Sequence, residues 1–286
     1  MEKRKYGNIV DGAKGVLGDC VRILSRFEQK YVVIGGWSPF LLNSKMPIEH
    51  PGTKDVDLLF EKGAIKGNLH NIFKAFLLSG YKISAKHQFQ LLKVINVGDK
   101  DFVYNVDFLH AENSNESVEM FVDHLELAIP IHEYKDDTYV EKSINAPHSD
   151  SIFHYNLFDT IEVKFDLPDD TVYKQEFPLM NEAGLLITKS ESLKNVKRKR
   201  DSLDIYIAIT QARDYKNLVK IFSDIKKKNA ILFNTLYGIK EELDNGKMVK
   251  NILDYLKDGD AQSINDVFAG FFEKIGLPDK AKSSYD

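Results

Sequence analysis

Asp55 and Asp57 stand one residue apart in the stretch DVDLLF, which otherwise reads as a hydrophobic strand. Positions i and i+2 of a strand share a face, so both carboxylates point one way while Val56 and Leu58 face a core. Charged groups are costly to bury unless something positive meets them. A divalent cation answers that need; an exposed turn is the ordinary alternative. A third carboxylate, Asp107, arrives in FVYNVDFL on the face shared by Val103, Asn105 and Leu109. A solvent-facing edge charge would be its everyday explanation. Upstream, the apolar run VVI ends at Gly35 and Gly36, with Ser38 two residues on. Glycines let a backbone approach phosphates closely, and a helix that follows offers N–H groups to anions, although glycine pairs often do no more than turn the chain. Carboxylates on neighbouring strands can hold Mg²⁺, which neutralises a triphosphate and stabilises the entering and leaving oxygens of a displacement.

These side chains need a scaffold. Helical spacing of Val16, Leu17, Val21, Ile23, Leu24 and Phe27 predicts a helix over 10–29, and YVVIGG a strand. SPFLLN reads as a short helix with Ser38 at its cap and Pro39 at a permissive first position. HPGTK is a turn, DVDLLF a second strand and 69–79 a helix. YKISAK, FQLLKVINV and FVYNVDFL read as strands, the last two joined by the hairpin turn GDKD. The stretch 114–178 is harder to parse, with IEVKFDLPDDTVYKQEF a β-hairpin or extended excursion. After about Met180 the texture becomes helical: LLITKSESLKNVK, DSLDIYIAITQAR, NLVKIFSDIKKK, AILFNTLYGIKEEL, MVKNILDYLK and INDVFAGFFEKIG. The expectation is an α/β (α+β) chain, with a mixed sheet and flanking helices over 1–180 and a helical domain over 181–286.

Composition narrows the function classes. The 286 residues suffice for one large or two modest domains, and a net charge of −4 gives no global attraction to nucleic acid. A lone cysteine, Cys20, excludes an internal disulfide framework, and its place in an amphipathic helix favours burial over nucleophilic duty. The opening MEKRKYGNIVDGAKG lacks the apolar core of a signal peptide, and charges interrupt every apolar run, so a cytoplasmic protein without membrane contact is expected. The histidines show no zinc-type spacing with cysteine, and P-loop and G-x-S-x-G sequences are absent.

The strand-Gly-Gly element followed by D-x-D resembles the nucleotidyltransferase superfamily related to DNA polymerase β. Gly35 and Gly36 match its glycine element, Asp55 and Asp57 its metal-binding pair, and Asp107 its third acidic position. The insert NSKMPIEHPG separates the glycines from the aspartates further than in compact members. A second stretch, LLITKSESLKNVKRKRDSLDIYIA, resembles the C-terminal signature of AbiEii-type and MenT-type nucleotidyltransferase toxins. Lys189 matches the lysine that contacts nucleotide phosphates there; Asp204 matches an active-site aspartate, preceded by the matching Arg200 and Asp201. Taken alone, Lys189 would read as a solvated helix residue, and Asp204 as the helix-face partner of Arg200. The resemblance implies Mg²⁺- or Mn²⁺-dependent transfer of a nucleoside monophosphate from an NTP. Asp55, Asp57 and Asp107 would serve the metal, Gly35, Gly36, Ser38 and Lys189 the nucleotide, and Asp204 its positioning in a cleft that the helical domain helps form. It also implies a toxin-like role, with an antitoxin as possible partner and tRNA as acceptor. The basic run KNVKRKR over 194–200, and Lys226 to Lys228, would then hold the RNA, where a wet helical face is the usual fate of such runs. Rival readings are transfer to a protein or to a small molecule such as an aminoglycoside antibiotic, and a silent binding or antitoxin module. Trp37 and His50 read as packing and turn residues respectively.

Overall fold

The computed structural model describes residues 4–42, 48, 50–61, 66–84, 87, 89–111, 124–128, 138–142, 144–146, 148–193, 195, 197–256 and 258–278. The chain divides into two compact units, one of residues 1–40 and 51–181, the other of 41–50 and 182–286.

The first unit is built on a mixed sheet. In chain order its elements are α1 (Ile9–Leu24), β1 (Tyr31–Ile34), α2 (Trp37–Leu42, which runs past the unit's edge), β2 (Val56–Phe60), α3 (Lys66–Leu78), β3 (Lys82–Ile83), β4 (Gln90–Val97) and β5 (Lys100–Ala111). There follow β6 (His124–Ala128), β7 (Thr138–Lys142), β8 (Ile144–Ala146), α4 (Asp150–His154), β9 (Phe158–Asp166) and β10 (Val172–Met180). The strand order is β3-β4-β5-β2-β1-β10-β9, with β8 beside β5, while β6 and β7 pair separately. Pairs β1–β10, β2–β5 and β5–β8 are parallel; β1–β2, β3–β4, β4–β5 and β9–β10 are antiparallel. The expected hairpin of β4 and β5 is present, and IEVKFDLPDDTVYKQEF, read as a hairpin or an extended excursion, falls in the β9–β10 hairpin.

Strand alternation sorts the side chains. Val56, Leu58, Phe60, Val106 and Phe108 are 0–5% exposed. Phe108 meets Phe60, Phe73 and Phe76 with ring centroids 5.4–5.6 Å apart, so α3 seals this face of β2 and β5. Helix α1 starts where the Asn8 side chain accepts from Asp11 N–H, and ends at Leu24, short of the expected 29. It approaches the strands closely. A Cβ at Gly18 would lie 2.5 Å from the Phe165 side chain, and one at Gly15 would be 2.9 Å from the Asp166 carbonyl. Its buried Asp19 is neutralised by Arg22 at 2.6 Å and Lys93 at 3.4 Å. Cys20 is fully buried, which raises its thiol pKa and fits a packing role.

The second unit is helical, with α5 (Glu182–Ser192), α6 (Lys199–Thr210), α7 (Tyr215–Lys228), α8 (Ala230–Asn234), α9 (Tyr237–Asp244), α10 (Lys247–Leu253) and α11 (Ala261–Ile275). The stretch AILFNTLYGIKEEL, expected as one helix, is two: the bonds Thr235 N–H to Leu232 and Leu236 N–H to Phe233 tighten the chain between α8 and α9. Among the described residues no helix is long and apolar enough to cross a membrane.

Candidate functional site

In the first unit the sheet register gathers the sequence-selected carboxylates. Asp57 in β2 pairs with Asp107 in parallel β5 and with Ile34 in antiparallel β1. Partners in register share a face, so the two carboxylates sit side by side, opposite the Phe108 side. Asp55, just before β2, belongs to the same alternation and is exposed. Its Oδ1 accepts from Asn105 Nδ2 at 3.1 Å, and Asp107 Oδ1 accepts from Gln90 Nε2 at 2.8 Å.

The glycine element closes one side. Gly35 has φ 77°, a left-handed conformation that side chains avoid. A Cβ built there would overlap Asp57 Oδ2, so glycine is required twice over, by its backbone and by the carboxylate resting against it. Gly36 is buried, and α2 begins at Trp37, placing Ser38 second in the helix rather than at its cap. Ser38 has no exposed surface, and its hydroxyl has no hydrogen-bond partner among the described residues. Trp37 is fully buried and donates from Nε1 to the Asp55 carbonyl at 2.9 Å, which ties α2 to the entrance of β2. It is a packing residue, as the sequence reading expects.

The carboxylate oxygens are hard donors of the kind Mg²⁺ or Mn²⁺ takes. Among the described residues no group of three or more His, Cys, Asp or Glu side chains is assembled as a ready metal cage.

The second unit holds a separate buried charge cluster. Lys189 on α5 is 6% exposed; its Nζ donates to Asp201 Oδ1 at 2.6 Å and lies 2.6 Å from Asp204 Oδ2. Asp204 has no exposed surface, and His50 Nε2 sits 2.9 Å from its Oδ1. Burial pushes the Asp204 pKa up, but the Lys189 charge and the His50 hydrogen bond outweigh it and hold the carboxyl at about 2. Burial lowers the Lys189 pKa, yet its two carboxylates leave it raised. Asp201 also accepts from Ser192 Oγ at 2.6 Å, with Arg198 3.6 Å away.

Burial of Lys189 removes its everyday alternative of a solvated helix residue, and Asp204 meets Lys189 and His50. His50 was missed as a member of this cluster: its partner lies 154 residues away, beyond any local pattern. The basic run is partly described. Lys197, Arg198 and Lys199 are exposed and Arg200 half-buried, while Lys194 and Val196 lie outside the described residues. Lys226, Lys227 and Lys228 are exposed, and Lys226 donates to the Gly276 carbonyl.

The sequence matches no protein-family model and no curated protein. Among solved structures the chain is similar to an antigenic nucleotidyltransferase-like protein from Paracoccidioides brasiliensis, at 13% identity and a TM-score of 0.34, covering 83% of this chain and 95% of that one. It is also similar to the antibiotic-resistance factor ANT(2'')-Ia, at 10% identity and a TM-score of 0.38, covering 78% and 96%.

Proposed function

We propose that the chain is a nucleotidyltransferase that moves a nucleoside monophosphate from an NTP to an acceptor and releases pyrophosphate. The observation that carries this reading is the registered pair Asp57 and Asp107, with Asp57 Oδ2 seated against left-handed Gly35. Asp55 and Asp57 would supply the oxygens that hold Mg²⁺ or Mn²⁺, with Asp107 completing the site or accepting the acceptor's proton. When bound, the divalent ion would neutralise triphosphate charge and support an in-line displacement. Glycine-lined backbone at Gly35 and Gly36 would let phosphates approach closely. Ser38, with no exposed surface, would have to turn or be uncovered to reach one. Lys189 is the cation that the sequence resemblance assigns to phosphate, and Asp204 its positioning partner. To serve, Lys189 would exchange one of its two carboxylates for a phosphate oxygen.

The experiment is incubation with Mg²⁺ and each labelled NTP in the presence of total RNA, protein extract or an aminoglycoside. Labelling that persists undiminished in EDTA or in Asp57→Asn would sink the reading.

For the acceptor we propose RNA, in the toxin-like setting with a partner antitoxin that the resemblance implies. The exposed cations at Lys197, Arg198 and Lys199 support it in a chain of net charge −4. Phosphate contacts release counterions, so RNA labelling should fall steeply with salt. Lys197→Glu with Lys199→Glu should cripple RNA labelling and spare NTP binding. Label found only on protein or on a small molecule would favour those acceptors instead.

A further inference from the structure

We infer that Gln90 and Asn105 are positioning residues that orient the carboxylates for a divalent cation, an inference that rests on the nucleotidyl-transfer reading above. Each reaches a different carboxylate across a strand boundary. Gln90 opens β4 as the Cα partner of Asp107, and its Nε2 donates to Asp107 Oδ1 at 2.8 Å. Asn105 lies two residues before Asp107 on the same face, and its Nδ2 donates to Asp55 Oδ1 at 3.1 Å. The β4–β5 hairpin therefore brackets the carboxylate group with two neutral amides.

Neutrality matters. A lysine or arginine at either place would compete with a metal ion for the same oxygens. An amide fixes the plane of the carboxylate without itself neutralising it. Outer partners of this kind orient metal-holding groups, and their loss typically weakens metal binding about 10–100-fold. Gln90 and Asn105 are both half-buried, so neither amide is called on to satisfy a deeply buried group. A role confined to stability would have little to act on there.

The test uses the full chain and Mn²⁺, read by the electron paramagnetic resonance signal of the free ion, with no dependence on turnover. Gln90→Met and Asn105→Leu keep side-chain volume and remove the donor; Gln90→Ala and Asn105→Ala replace them if either fails to fold. The expected result is Mn²⁺ binding weakened at least about 10-fold in each variant, with the melting temperature in metal-free buffer moved by no more than a few degrees. Excess Mn²⁺ should restore kcat with the KM for NTP unchanged. Mn²⁺ binding equal to wild type in both variants overturns the inference and leaves the nucleotidyl-transfer reading standing, provided Asp57→Asn abolishes binding. Weakened binding that tracks a large fall in melting temperature also overturns it. A wild-type protein that binds no Mn²⁺, or an Asp57→Asn variant that binds as well as wild type, overturns both.

Discussion

Lys189 shows how burial changes what a residue is expected to do when mutated. Its ammonium neutralises Asp201 and Asp204 inside the helical unit, so Lys189→Met strands two buried carboxylates. Breaking a buried pair from one side costs about 3–5 kcal/mol. Urea denaturation should show a loss of that order, and adding Asp204→Asn to the same chain should recover part of it. A Lys189→Met variant as stable as wild type would refute this account of the cluster. The same carboxylate sets a pH dependence. The folded pKa of Asp204, about 2, lies below the ordinary value of about 3.9, so its contribution is complete above the latter and disappears as pH falls through the former. Stability should therefore drop by about 2 kcal/mol between pH 5 and pH 2 on this account alone. Asp204→Asn should flatten that part of the urea-midpoint profile.

Helices and strands differ in what their sequences disclose. The carboxylate strand was legible because period-two alternation puts Asp55 and Asp57 on one face and Val56 and Leu58 on the other. The amides at Gln90 and Asn105 were not, since their bonds depend on the register between segments 17 and 50 residues apart. Helix α1 was legible from its apolar spacing, but not its closeness to β9, because a glycine leaves no hydrophobic mark for periodicity to detect. Gly18→Ala should cost about 1–3 kcal/mol by forcing a methyl against Phe165. Thermal unfolding would check this; an unchanged midpoint would mean the helix can shift at no cost. The break between α8 and α9 carries no proline, and its glycine falls inside α9 rather than in the break. Gly238 is explained by tertiary contact instead, for a Cβ there would meet the Ser190 carbonyl at 2.5 Å.

At the scale of the chain, the mixed sheet and the helical texture after Met180 were both readable, whereas the membership of 41–50 in the helical unit was not. Local patterns do not report which distant segment a linker joins. The chain's single tryptophan, Trp37, is buried in the sheet unit, so its fluorescence follows that unit, while far-UV circular dichroism draws mainly on the helices. His50→Ala removes a hydrogen bond to a buried carboxylate and should lower stability by about 1.5–3 kcal/mol. The dichroism midpoint should move more than the fluorescence midpoint; equal shifts would mean that the two units unfold as one. His50 and Asp204 also impose an order in time. With a separation of 154 positions, a chain emerging at about 5–20 residues per second makes the histidine wait roughly 8–30 seconds for its aspartate. During that interval His50 lacks its aspartate, while the sheet unit, complete in sequence at residue 181, can already fold. Conditions that slow translation lengthen this wait, and with it the time a chaperone or protease that reads incomplete chains has to act.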